Sequence, residues 1–226
     1  MTAARYPEPT MVLVADLEGT LTAGETWKGV ARWLEELGRG TAYRRFFVSH
    51  LPGALMAKAG LIDKRAYQDR WMADLARLLA GLSESQLAEM GEWVTEHTLW
   101  PARHDTVLTE LLQAFSRGAR VILASATYQP VLEAFARRLG EGVVALGTPL
   151  ETVQGRATGR LGGPVNAGSA KAGRVRVYLG GSSPDRAYGD SWPDRYLLEL
   201  SAEPVAVRPD RRLMALARER GWRRLV

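Results

Sequence analysis

The sequence predicts an α/β protein: a mostly parallel sheet with helices on both faces and a small helical cap inserted after the first strand. Three observations predict it. The short apolar runs "VLVA" at 12–15, "VILA" at 121–124 and "PVAV" at 204–207 have the length and residue types of buried strands. Amphipathic stretches alternate with them in the second half, and strand–helix alternation builds parallel sheets. Between the first two strands, residues 24 to 100 keep only three- and four-residue apolar spacing, which is too much helix for one crossover.

Strand 12–15 runs into "DLEGTLT". "TWKGVARWLEELGRG" reads as a helix from a Thr26 cap to a glycine stop. "TAYRRFFVSHLPGALMAKAG" reads as helix broken at Pro52-Gly53. "DKRAYQDRWMADLARLLAGL" follows, and "SESQLAEMGEWVTEHTLW" begins at a Ser cap and ends before Pro101. Helix 104–117 leads into strand 121–124, helix "QPVLEAFARRLG" and the short strand "GVVALG". "LETVQGRATGRL" alternates around Gln154-Gly155 as a β-hairpin. Helix 168–179, the segment "RAYGDS", strand 204–207 and a last helix complete the chain. The predicted domains are a Rossmann-like core of 1–22 and 102–226 and a helical cap of 23–101.

The 226 residues suffice for a full core, and 46% apolar with 24% charged residues is ordinary globular composition. No apolar run reaches the roughly 20 residues of a spanning helix. The N-terminal "MTAARYPEPT" has no apolar stretch, so it reads as a loose tail and not a secretory signal, and the expected location is cytoplasmic. The absence of cysteine excludes disulfide and thiolate chemistry. The net charge of +5 comes from 26 Arg and 4 Lys with no run longer than two. Even the densest stretch, Arg208 to Arg224, reads as a solvated helix face, so neither nucleic acid nor membrane is expected as a partner.

Function is concentrated at the strand ends, where open parallel sheets bind ligands. Asp16 and Glu18 lie two apart on an extended segment, and side chains at that spacing share a face. Two adjacent ionised carboxylates repel unless a cation or a shared proton lies between them, which points to a metal site or to acid/base chemistry. "VILAS" ends at Ser125, followed by Ala126 and Thr127, a turn whose hydroxyl and backbone N–H groups suit a phosphate oxygen. "NAGSAKAG" sets Lys171, the only lysine after residue 64, near a helix start. "GDSWPD" places Asp190 and Asp194 four apart. Converging carboxylates call for a hard divalent cation, and oxygen ligands favour magnesium.

"DLEGT", "VILAS", "GSAK" and "GDSWPD", in that order, resemble the haloacid dehalogenase-like (HAD) hydrolase superfamily, in its phosphoserine-phosphatase-like branch of subfamily IB type. The resemblance spans residues 12 to about 207, with the helical insertion where that branch carries its cap. It implies that Asp16 is the nucleophile that becomes an aspartyl-phosphate, and that Glu18 is general acid and then base. It also implies that Asp16, Asp190 and the Glu18 backbone carbonyl hold Mg2+. Ser125, Ala126 and Lys171 would bind the phosphoryl oxygens, with Asp194 orienting Lys171 or a metal-bound water. Most of the superfamily has Asp, one methylene shorter, where this chain has Glu18, which puts the acid's reach in question. The resemblance further implies that Glu25 contacts a substrate amino group, and Arg70 is a candidate for a substrate carboxylate. Glu25 fits equally an acid in a first helical turn, and Arg70 a solvated helix residue. Five of seven tryptophans (27, 33, 71, 93 and 100) fall in the cap, where core building is the simplest account.

The expected activity is a magnesium-dependent phosphatase for a small phosphomonoester of phosphoserine type. The alternatives are a HAD phosphatase for a nucleotide, sugar phosphate or lipid head group, a catalytically weak binding protein on the same core, and a basic nucleic-acid-associated module.

Overall fold

The computed structural model describes residues 11–225; the expected N-terminal tail lies outside the described residues. Six parallel strands form the sheet: β1 (Val12–Ala15), β2 (Arg120–Tyr128), β3 (Val144–Thr148), β6 (Arg186–Gly189), β7 (Glu203–Val207) and β8 (Arg223–Leu225), in the order β3-β2-β1-β6-β7-β8. A separate antiparallel hairpin joins β4 (Leu150–Val153) to β5 (Arg156–Leu161). Its turn residues Gln154 and Gly155 both have positive φ, at 51° and 71°, which matches the twist of a two-residue hairpin.

Alternation along the strands produces two apolar layers. Leu13, Ala15, Val121, Leu123 and Tyr188 face one side, packed by α5 (Asp105–Ser116) and α6 (Gln129–Leu139). Val14, Ile122, Ala124 and Ala187 face the other, packed by α7 (Gly168–Tyr178), α8 (Arg195–Leu200) and α9 (Arg211–Glu219). Burying both faces is what makes the strands uniformly apolar. In α9 Leu213 and Ala217, four apart, are buried, while the arginines of the segment are exposed, as expected of a solvated face.

Between β1 and α5 lie α1 (Thr26–Glu36), α2 (Gly40–Lys58), α3 (Lys64–Ala76) and α4 (Glu84–Val94). They share the first apolar layer through Val30, Leu34, Leu75 and Met90. α4 packs on α6 at Gly91, where a Cβ would come within 2.3 Å of the Pro130 carbonyl oxygen. The hairpin is tied to this insertion by Gly81 N–H to Ala157 O and Ala157 N–H to Leu82 O, both 2.8 Å.

Several boundaries differ from the sequence reading. Thr26 does not cap α1: the N-cap is Glu25, without a side-chain bond, and the Thr26 hydroxyl meets Thr127 instead. α2 runs through Pro52 unbroken, with the proline on the exposed side of the helix. Gly53 is there for packing, since a Cβ would lie 2.7 Å from the Tyr67 ring. The expected Ser83 cap is present as a capping box with Gln86. Beyond α4 the chain widens through a π turn (Thr95–Leu99) and then tightens in a 3-10 turn (Trp100–Ala102) that contains Pro101. β2 continues past Ala124 with a shift of register before Tyr128, so Ser125 to Thr127 lie in an irregular strand end and not in a free turn. The edge strand β8 has no apolar run and was invisible to pattern. No described helix is long and apolar enough to cross a membrane.

Candidate active site

The carboxyl ends of β1, β2 and β6 converge with the first turns of α7 on one cleft of about 360 Å3, lined by Asp16, Glu18, Ser125, Ala126, Lys171 and Asp194 on the sheet side. Asp16 continues β1 by one bond, its N–H donating to Tyr188 O at 3.0 Å. The chain then turns at Gly19, with φ +86°, and a Cβ there would lie 2.2 Å from Asp190 Oδ2. Glycine is therefore required by conformation and by the approach of a carboxylate.

Lys171 Nζ donates to Asp16 Oδ1 at 2.6 Å and to Asp194 Oδ1 at 2.7 Å, and all three side chains are buried. The second oxygen of Asp194 accepts from Ser191 N–H at 3.1 Å, Ser191 Oγ at 2.8 Å and Asp190 N–H at 3.3 Å, which locks the "GDSWPD" turn around it. Asp190 receives a bond from Thr20 Oγ1 at 3.2 Å. Glu18 Oε1 accepts from the Thr26 N–H at 2.9 Å and from Thr127 Oγ1 at 3.1 Å.

The charges are out of balance. Burial would lower the Lys171 ammonium, but Asp16 and Asp194 outweigh it and push it up. Burial would raise Asp194, but Lys171 and the Ser191 donors hold its carboxyl below the usual range. Asp16 is raised, by burial first and by Asp194, against the pull of Lys171. Asp190 is raised by burial and by the charges of Asp16 and Asp194. Burial also raises Glu18 against its hydrogen bonds from Thr26 and Thr127. One ammonium thus faces three carboxylates, and the excess negative charge rests on Asp16 and Asp190.

Oxygens of Asp16, Asp190 and Asp194 lie within 4.8 Å of one another. An all-oxygen donor set with uncompensated charge fits a hard divalent cation. Asp194 is the least free of the three, because both its oxygens already accept bonds. The expected ligand set of Asp16, Glu18 and Asp190 thus overlaps this cluster at two carboxylates.

Arg70 is not brought into the cleft, and Glu25 does not line it, although it lies close enough for its charge to raise Glu18. Glu25 pairs with Lys28. Arg70 is 81% exposed, pairs with Asp74 at 3.6 Å and lines a different cavity with Arg77. For Arg70 the reason is helical phase. Positions 70 and 74 lie on one stripe of α3, continued by Arg77 just beyond its end, whereas 65, 68, 69 and 72 form the stripe that lines the cleft. Arg65 and Asp69, an ion pair on that stripe, were missed by the sequence reading, although their i,i+4 spacing was visible. Trp27 and Trp71 both build the insertion's core, with rings 6.0 Å apart, and line the cleft. Asn166 was also missed. Its buried Nδ2 donates to the carbonyls of Ser125 and Leu146, bracing the end of β2 against the start of α7.

The model of the family described as haloacid dehalogenase-like hydrolase matches residues 13–199. The chain belongs to that family. It is an enzyme of the hydrolase class, and the cleft described here is where the motifs of the resemblance converge. Among HAD relatives, Mycobacterium tuberculosis phosphoserine phosphatase SerB1 is 35% identical over 217 residues, covering 92% of this chain and 68% of its own length. Neisseria meningitidis histidinol-phosphatase is 30% identical over 176 residues, covering 72% of this chain and 75% of its own. Among solved structures, a Bordetella pertussis protein superposes with a TM-score of 0.78 at 25% identity over 95% of this chain and 97% of its own. A phospho-aspartyl intermediate analogue of a phosphoserine phosphatase superposes with a TM-score of 0.59 at 18% identity, covering 96% and 94%, a likeness of fold.

Proposed function

We propose that this HAD hydrolase is a magnesium-dependent phosphoric monoester hydrolase working through an aspartyl-phosphate on Asp16. The carrying observation is Lys171 bridging Asp16 and Asp194 at the floor of a cleft that Glu18 also lines. The Asp16 oxygen attacks phosphorus in line. Lys171, with Ser125 and Ala126 beside it, holds the phosphoryl oxygens, where positive charge and placement supply most of the catalysis. Glu18 gives a proton to the departing alkoxide and then takes one from the attacking water, so that Asp16 is released with inorganic phosphate. The raised affinity of Glu18 for a proton supports the acid role. Asp194 keeps Lys171 aimed. Asp16, Asp190 and the Glu18 backbone carbonyl would hold Mg2+, which neutralises phosphoryl charge when bound.

Residues 23–101 act as the cap over the leaving group, with 1–22 and 102–226 as the core. Trp27, Tyr67, Trp71 and Met72 form its wall, and Arg65 with Asp69 its polar edge. The name of the mycobacterial relative supports a small substrate of phosphoserine type. The aromatic wall, with the Neisseria relative's name, favours a second reading in which the leaving alcohol carries a flat ring.

The test is hydrolysis of p-nitrophenyl phosphate, followed by a panel of phosphoserine, histidinol phosphate, nucleotides and sugar phosphates. Turnover should need magnesium, stop with EDTA and vanish in Asp16→Asn. Full turnover by Asp16→Asn would sink the mechanism. The best ester of the panel selects the substrate class.

A further inference from the structure

The cleft does not end at the Arg65–Asp69 pair. A second cavity of about 780 Å3 continues outward from it, and the two share Arg65, Gln68, Asp69, Ser191 and Pro193 along their common border. A small ester such as phosphoserine leaves this outer space unused, since about 300 Å3 already suffices for a compact ligand.

The charges of the outer cavity are unequally committed. Asp63 accepts the Ala66 N–H at the start of α3. Asp210 accepts the N–H groups of Trp192, Arg212 and Leu213. Asp69 is taken by Arg65. Among the described residues, by contrast, Lys64, Arg195 and Arg212 have no carboxylate within ion-pair distance. Both guanidiniums lie over the Trp192 indole, each 4.3 Å from the ring centroid. Arg195 spends donors on Trp192 O and the Tyr196 hydroxyl, while none of the hydrogen bonds among the described residues uses the Arg212 guanidinium. A weakly hydrated guanidinium held over an indole, in a cavity that an uncommitted ammonium also lines, suits a planar or tetrahedral oxyanion.

We propose that this outer cavity is a subsite for a second oxyanion, a carboxylate or phosphate, at the far end of the leaving group. The proposal rests on the phosphatase reading of the inner cleft. The substrate is then a phosphomonoester with its ester phosphate at Asp16 and its other anion on Arg212 and Lys64. The Arg65–Asp69 pair stands at the border between the two groups.

The test uses the full chain with magnesium and a series of ω-hydroxyalkyl phosphates of increasing length. Each is compared with analogues bearing a terminal carboxylate or a non-hydrolysable phosphonate. At one chain length the anionic analogue should gain about tenfold or more in kcat/KM, the worth of one charge-assisted hydrogen bond. The carboxylate and phosphonate arms identify which anion is preferred. Arg212→Gln and Lys64→Gln should each remove most of that gain through KM, with p-nitrophenyl phosphate turnover unchanged. No gain at any length, or a gain that survives in both variants, would overturn the subsite while leaving the phosphatase reading intact. Failure of the wild type to hydrolyse p-nitrophenyl phosphate would instead remove the reading on which the subsite rests.

Discussion

Replacing Lys171 by Met tests the electrostatics of the site. Methionine is unbranched and about as long, so it removes the ammonium without opening a large cavity. Asp16 and Asp194, whose oxygens lie 2.6 and 2.7 Å from Nζ, are then left buried and unpaired. Breaking a buried pair costs roughly 3–5 kcal/mol if the charges persist. Protonating one carboxyl limits that loss. With an unfolded value near ~3.9, the limit is about 2 kcal/mol at pH 5.5 and about 5–6 kcal/mol at pH 8, at ~1.36 kcal/mol per unit. In the wild type, the raised Lys171 gives stability that is complete below the unfolded value of about 10.4 and lost only as pH rises through the higher folded value. The depressed Asp194 gives stability present above about 3.9 and lost as pH falls through its lower folded value. Neither contribution changes between pH 5.5 and 8. In the variant Asp194 is raised where it had been depressed, and Asp16, already raised in the wild type, is raised further, so the folded variant binds protons more tightly than the folded wild type and its deficit shrinks as pH falls. Urea unfolding in EDTA should therefore show a deficit of about 2 kcal/mol at pH 5.5 that roughly doubles by pH 8, and magnesium should reduce it. A deficit independent of pH, or none at all, would refute the charge balance drawn here.

Gly19→Ala drives a methyl into the Asp190 carboxylate, so magnesium-dependent turnover should fall at least a hundredfold, with roughly 1–3 kcal/mol of stability lost to the positive φ; steady-state kinetics and urea titration read the two effects. Thr127→Val removes the hydroxyl bonded to Glu18 and should lower kcat about tenfold with little change in KM, whereas Thr127→Ser restores it; an unaffected kcat would show that Glu18 needs no such support. Pro52→Ala fills in a backbone bond inside α2 and should raise stability by about 2 kcal/mol, measured by thermal and urea unfolding. Glu110, whose carboxyl burial would raise but Arg223 and Tyr188 hold below its usual range, gives stability present above about 4.3 and lost as pH falls through its lower folded value. Glu110→Gln should therefore flatten part of the acid unfolding curve below pH 5.

Strands β1, β2, β3 and β7, the hairpin turn and the Ser83 cap were legible because each depends on local rules: a short apolar run buried on both faces, a Gln-Gly turn, a Ser followed three residues later by Gln; β6, read only as the segment "RAYGDS", was not. Asp16, Lys171, Asp190 and Asp194 were legible because they stand at the ends of such elements, and topology alone brings strand ends together. Pro52 misled because a proline's cost is local while the packing of Tyr43, Phe46 and Ala57 holds the whole helix. Arg70 misled because its candidacy ignored helical phase, and phase within α3 is set by which stripe faces Trp27 of α1, a tertiary fact. β8 carries Arg-Arg-Leu and pairs only with β7, so nothing in its composition marks a strand.

Glu18 shows how the departure from Asp is absorbed. Its carboxyl accepts the Thr26 N–H at the first turn of α1 while Thr127, from the end of β2, approaches from the core. The Thr26 and Thr127 hydroxyls are themselves 3.1 Å apart. The proposed acid is therefore held by one residue of the insertion and one of the sheet, and its extra methylene provides the reach to α1. Any movement of α1 relative to β2 must break or remake that contact. In the proposed mechanism, protonation of Glu18 and any closure over the leaving group would be coupled through the same two bonds. On that proposal, a substrate that closed the cleft would present its ester oxygen to an acid whose position depends on closure having occurred.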